Sequence, residues 1–153
     1  MKLYNHIVMA LAPVADAFSG TVGSDIVSMK NHGEIEFIIT KGIGNTGTST
    51  ITVEASDDVS ASNTTAVPFR YQAITSGDTP AAVVAATTAG FATTAGSNQM
   101  YRIFVDASEL GDTGYEYVRL KAAEVVDGPV SAGILAILKA GRFDKEIPAT
   151  ALT

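Results

Sequence analysis

From residue 34 to residue 138 the chain is written in short apolar and β-branched runs, each broken by Gly, Ser, Thr, Asn or Pro, the pattern of successive β-strands. Residues 34–40 start as a polar–apolar alternation and pass into a continuous apolar stretch that ends at Gly42. Residues 49–55 alternate strictly: Ile51, Val53 and Ala55 fall on one face, Thr50, Thr52 and Glu54 on the other. That strand has one buried and one wet face. The same period predicts strands over 67–73, with Val67, Phe69 and Tyr71 in phase, over 100–106, and over 115–122, where Tyr115, Tyr117 and Arg119 oppose Glu116, Val118 and Leu120. Residues 130–138 are apolar on both parities, which predicts a central strand covered on both sides. Gly133, with Pro129 and Gly141 flanking, argues against a helix there.

Between the strands lie segments of other character. Asp106 followed by Glu109 has the spacing of a capping box and predicts a single helical turn before Gly111. Residues 79–96 are dominated by Ala, Val and Thr, and fit either a flat strand pair turning at Ala89-Gly90 or a short helix after Pro80. Gly42-Ile43-Gly44-Asn45-Thr46-Gly47 spells a GxGxxG directly after a strand. A dinucleotide fingerprint requires a helix after the glycines, whereas residues 48–53 are β-branched and alternating, so the segment is expected to be a hairpin loop. No fixed-period repeat is present, and the fold class expected is all-β: a β-sandwich or jelly-roll-like barrel with a short helical turn and extended termini. The expected organisation is an N-terminal arm over 1–23, the β domain over 24–141 and a C-terminal tail over 142–153.

Composition narrows the chemistry. At 153 residues the chain is long enough for one domain with a real core. It has no cysteine, which removes thiolate zinc sites, iron–sulfur clusters and cysteine nucleophiles. Charged residues make up 17%, against about 25% in an average domain, so much of the surface is neutral, as suits assembly. The net charge of −6, with ten Lys and Arg scattered along the chain, disfavours nucleic acid and anionic membrane as partners. The six apolar residues 7–12 before Pro13 fall short of the h-region of about 7–15 residues in a signal peptide. No run approaches the roughly 18–20 apolar residues of a spanning helix.

Candidate reactive groups are few. His6 and His32 have no His or Glu at ligand spacing, and there is no Gly-x-Ser-x-Gly elbow. Asp57-Asp58 and Asp78 lack the Asp-x-Asp-x-Asp-Gly arrangement of a calcium loop and read as solvated turn carboxylates. There is no Trp for a sugar platform; Tyr4, Tyr71, Tyr101, Tyr115 and Tyr117 remain, most of them in strand phase and expected at the core edge. Neither catalytic residues, metal ligands nor a cofactor are expected.

The order of Ala12-Pro13-Val14-Ala15-Asp16, then Ser24-Asp25-Ile26-Val27-Ser28-Met29-Lys30-Asn31, then Glu36-Phe37-Ile38-Ile39 and a glycine loop resembles small virion proteins of tailed bacteriophages. Phe104-Val105-Asp106-Ala107-Ser108-Glu109-Leu110 and Tyr117-Val118-Arg119-Leu120 extend the resemblance over most of the chain outside 74–99. It implies a capsid decoration, or cement, protein on the outside of the virion, assembled in the host cytoplasm. Its implied partners are the major capsid protein and copies of itself, with a trimer favoured. Leu3, Tyr4, Ile7, Val8, Met9 and Leu11 of the arm would be exposed liabilities on a free monomer and are expected to pack on the capsid or an adjacent protomer. Phe143, Ile147 and Leu152 of the tail are the second expected contact. The alternative classes are a β-sandwich binding module for a receptor or carbohydrate, which needs a concave tyrosine-lined patch, and an enzyme, which needs a pocket gathering His32 or carboxylates of shifted pKa.

Overall fold

The alternating runs become strands whose pairings among the described residues are all antiparallel, most of them with partners distant in sequence. The computed structural model describes residues 5–43, 46–139 and 141. In chain order the elements are β1 (His6–Val14), β2 (Thr21–Gly23), β3 (Val27–Ser28), β4 (Glu34–Lys41), β5 (Thr48–Ser56), β6 (Thr64–Val67), β7 (Phe69–Ile74), β8 (Val84–Ala86), β9 (Phe91–Ala92), β10 (Met100–Asp106), α1 (Ala107–Gly111), β11 (Tyr117–Val126) and β12 (Ala132–Lys139). One sheet has the order β1-β12-β4-β10-β7-β8. The other is built on β2-β11-β5-β6, with β3 pairing β11 and β9 pairing β5. The two form a β-sandwich, and neither closes into a barrel.

The core lies between the sheets. Ile35, Phe37 and Ile39 of β4, Tyr101, Ile103 and Val105 of β10, and Ile134, Ala136 and Leu138 of β12 face Ile51, Val53 and Ala55 of β5 and Val118, Leu120 and Ala122 of β11, all buried. An aromatic group spans the gap: Phe91 of β9 stacks on Tyr71 of β7, ring centroids 3.9 Å apart, and lies 5.5 Å from Tyr101 of β10. These tyrosines therefore serve the interior, and a sugar platform has no use of them.

Three expectations are revised. The loop over 42–47 is not a hairpin, because β4 and β5 lie in different sheets and the loop crosses between them. Gly47 is needed there: a Cβ on it would collide with the carbonyl oxygen of Gly128 in the β11–β12 crossing. Residues 79–96 form neither a helix nor a mutual pair. β8 joins β7, and β9 joins β5 of the other sheet after a turn at Gly90, whose φ is 77°. The expected strand over 67–73 is divided at Pro68, where the chain passes from β6 in one sheet to β7 in the other.

The single helical turn of α1 forms where the sequence placed it, although the Asp106 side chain makes no capping hydrogen bond. In the segment expected as an arm, β1 is hydrogen-bonded along β12, and Ala10 and Phe18 are 1% exposed. Phe18 sits in a turn that no periodicity marks, held by the Ala17 amide donating to the Val130 carbonyl at 2.8 Å.

Candidate interaction surface

Directly paired residues of an antiparallel sheet share a face, so the registers give the outward side of the β1-containing sheet row by row. Ile7, Ile137, Glu36, Phe104, Arg70 and Ala85 form one row, and Met9, Leu135, Ile38, Arg102 and Gln72 the next. Ile7 is 63% exposed, Met9 57% and Leu135 37%, while Ile38, Ile137 and Phe104 are half-buried. The outward side of the other sheet is of a different kind: Thr50, Thr52 and Glu54 of β5 stand beside Lys121, Arg119 and Ala123 of β11. The first face mixes exposed apolar side chains with charges, and the second is polar apart from Val125 and Val126, exposed at the end of β11.

The charges on the apolar face are paired among themselves. Glu36, 3% exposed although it points away from the core, accepts hydrogen bonds from Arg102 Nε and Lys139 Nζ. Arg102 also donates to Gln72 Oε1 at 3.1 Å, and Lys139 to Glu34 Oε1 at 3.3 Å. Arg70 lies 3.7 Å from Asp106. The Phe104 ring carries the Arg102 guanidinium 5.0 Å from its centroid and the Lys139 ammonium at 5.9 Å, a cation–π arrangement. Burial pushes the Glu36 carboxyl upward, but the hydrogen bonds and charges of Arg102 and Lys139 outweigh it and hold the group below the ordinary glutamate range. Three carboxylates (Glu34, Glu36, Asp106) thus face three cations (Arg70, Arg102, Lys139), and this face is neutral in a chain of net charge −6. A groove of about 240 Å³ between Glu34, Phe104, Asp106, Arg70 and Val83 marks its far end.

The opposite sheet repeats the device with one acid. Glu54 accepts from Arg119 Nε at 2.9 Å and Nη2 at 2.8 Å and from Lys121 Nζ at 2.9 Å. Burial opposes ionisation of Glu54, the two cations favour it more, and its pKa is lowered.

Of the arm residues named from the sequence, Ile7 and Met9 lie on the apolar face, whereas Val8 and Leu11 pack inward against the core. A β-bulge between Met9 and Leu11 changes the register at that point. Leu3, Tyr4, Phe143, Ile147 and Leu152 lie outside the described residues. Sequence reasoning missed Ile38, Phe104, Leu135, Ile137, Val83 and Val84. The signal for three of them was the loss of alternation in residues 35–39 and 130–138. It was read as double coverage, but in β12 the second parity, Leu135 and Ile137, faces outward.

The groups proposed for other chemistry are placed as follows. His32 lines an open depression of about 230 Å³ with Lys30, Tyr115, Glu116 and Leu110. Among the described residues neither ring nitrogen has a hydrogen-bond partner of good geometry; burial and the charge of His6 hold its pKa down, against the nearby Lys139 backbone. Asp58 accepts from the amides of Ser62 at 3.1 Å and Ser60 at 3.0 Å, and these bonds lower its pKa while ordering its own turn. Lys41 is 4% exposed; its ammonium donates to the Thr94 carbonyl at 2.6 Å and Gln99 Oε1 at 3.2 Å, and burial lowers its pKa. It ties β4 to the loop before β10. Among the described residues no three His, Asp or Glu gather as metal ligands, and no helix is long and apolar enough to cross a membrane.

No protein-family profile matches the chain, and no curated protein does. Among solved structures, the crystal structure of SPBc2 prophage-derived protein YomS is similar, with 11% identity and a TM-score of 0.48, over 88% of this chain and 91% of that one.

Proposed function

We propose that this protein is a structural component of a tailed-phage virion that binds the outside of the capsid as a decoration protein. One observation carries the reading: the outward face of the β1-containing sheet sets exposed apolar side chains, Ile7, Met9 and Leu135, among charges that are paired with one another. Pairing of the charges on this face offsets part of the cost of removing water from them, and its isoleucine, leucine and methionine side chains gain from burial. This is the surface expected of a protein that works by contact. The resemblance of the sequence to small phage virion proteins supplies the kind of partner, the major capsid protein together with further copies of this chain. On this reading the protein has no reaction to perform and stabilises a shell through many buried contacts.

The test is cosedimentation of purified protein with shells of the major capsid protein encoded in the same genome. Saturable binding at a fixed ratio to capsid subunits is expected. Leu135→Lys, which places a charge at the centre of the apolar face, is expected to weaken it about tenfold or more. Wild-type protein that stays in the supernatant over intact shells contradicts the proposal.

A further inference from the structure

Neither edge strand of the β1-containing sheet carries a charged side chain, although Pro13 and the bulge blunt the second half of β1 and β8 is only three residues long. Natural sheets usually blunt an edge strand with charge, proline or a bulge, because its free amides and carbonyls invite another strand. Here β1 contains no Asp, Glu, Lys or Arg, and the stretch from Pro80 to Gln99, which holds β8, contains none either. Both places carry exposed large apolar side chains: Ile7, Met9 and Val14 on β1, and Val83 and Val84 at β8. The edges also correspond in length. Beyond Met9 the β1 edge is interrupted by the bulge, and the Ala10 carbonyl is taken by the Asp25 amide at 2.7 Å; among the described residues, no strand pairs with the outer edge of residues 6–9. β8 offers Val84–Ala86.

Direction completes the match. Six strands joined by five antiparallel steps make β8 run opposite to β1. A second copy rotated about an axis parallel to the strands keeps the strand directions, and so brings its β8 antiparallel to the first copy's β1 and continues the sheet while allowing closure. We infer that copies of this chain join head to tail, β1 of one pairing with β8 of the next, in a closed ring. The inference rests on the proposed function and specifies how the self-association in that reading is made. Each copy uses two different surfaces, so the contact is heterologous and must close to a ring or grow as a filament. A two-fold contact of β1 with β1 leaves the equally bare β8 edge unused.

Complementation tests it. Ile7→Lys/Met9→Lys blocks the β1 edge and Val83→Lys/Val84→Lys blocks the β8 edge, each at exposed positions, with circular dichroism confirming that both variants fold. By light scattering, the wild type is expected as a closed oligomer and each variant alone as a monomer. An equimolar mixture, which retains one intact joint, is expected at twice the monomer mass. A monomeric wild type, a mixture that stays monomeric, or a β8-blocked variant that still assembles overturns the inference. The shell-binding assay is independent: shells decorated by monomers refute the ring and leave the decoration reading standing, and rings that ignore shells do the reverse.

Discussion

At the residue scale, the side chains that decide the surface are two glutamates that face away from the core and are nonetheless buried. Glu36 accepts hydrogen bonds from Arg102 and Lys139 and is paired in register with Phe104, and its lowered pKa sets the sign of a pH effect. A carboxyl whose folded pKa lies below its unfolded value, about 4.3 for glutamate, stabilises the fold above that value and loses the contribution as pH falls through the folded pKa. Glu54 acts in the same direction. Denaturant titrations from pH 7 to pH 3 are therefore expected to show stability falling below about pH 5. Glu36→Gln is expected to lower stability at pH 7 by about 1–3 kcal/mol, with a shallower acid decline. Equal acid declines for variant and wild type would refute this role. None of this was legible in the sequence, where Glu36 is one of sixteen acids. Its partners Arg102 and Lys139 are 66 and 103 positions away, and only strand register brings them together.

At the element scale, period-two alternation located β4, β5, β10 and β11, because a strand with one buried face writes its burial into local sequence. It carries no record of which sheet a strand joins, so the glycine loop at 42–47 read as a hairpin although it crosses between sheets. The demand that it meets is a long-range one, close approach of the backbones at Gly47 and Gly128. Gly47→Ala is expected to lower stability by about 1–3 kcal/mol, measured as a lower midpoint of urea unfolding; an unchanged midpoint would show that the crossing gives way freely. Phe18 is the opposite failure, a core residue in a turn with no periodicity to announce it. Phe18→Ala is expected to lower stability by about 3–5 kcal/mol, and a loss below about 1 kcal/mol would mean that the segment before β2 is not part of the cooperative core. Removing residues 1–18 would delete β1 and Phe18 together, so contacts of this region are better tested by point substitution.

For the whole molecule, the relevant property is asymmetry. A sandwich needs each sheet to be apolar on one face only, and the β2-containing sheet follows that rule with its Thr, Arg and Lys exterior, apart from Val125 and Val126 exposed at the end of β11. The β1-containing sheet exceeds it, with apolar side chains on its outward face and uncharged strands at both edges. The low overall charge and the non-alternating runs at 35–39 and 130–138 were the traces of this in the sequence. They became a surface only once register showed which parity points out. Amide hydrogen exchange, comparing the free protein with protein bound to capsid shells, reads which sheet meets the shell. Slowed exchange is expected at β12 and β4, whose Leu135, Ile137 and Ile38 face outward, and none at β2 and β6 of the opposite sheet; protection confined to β2 and β6 would contradict the proposed face.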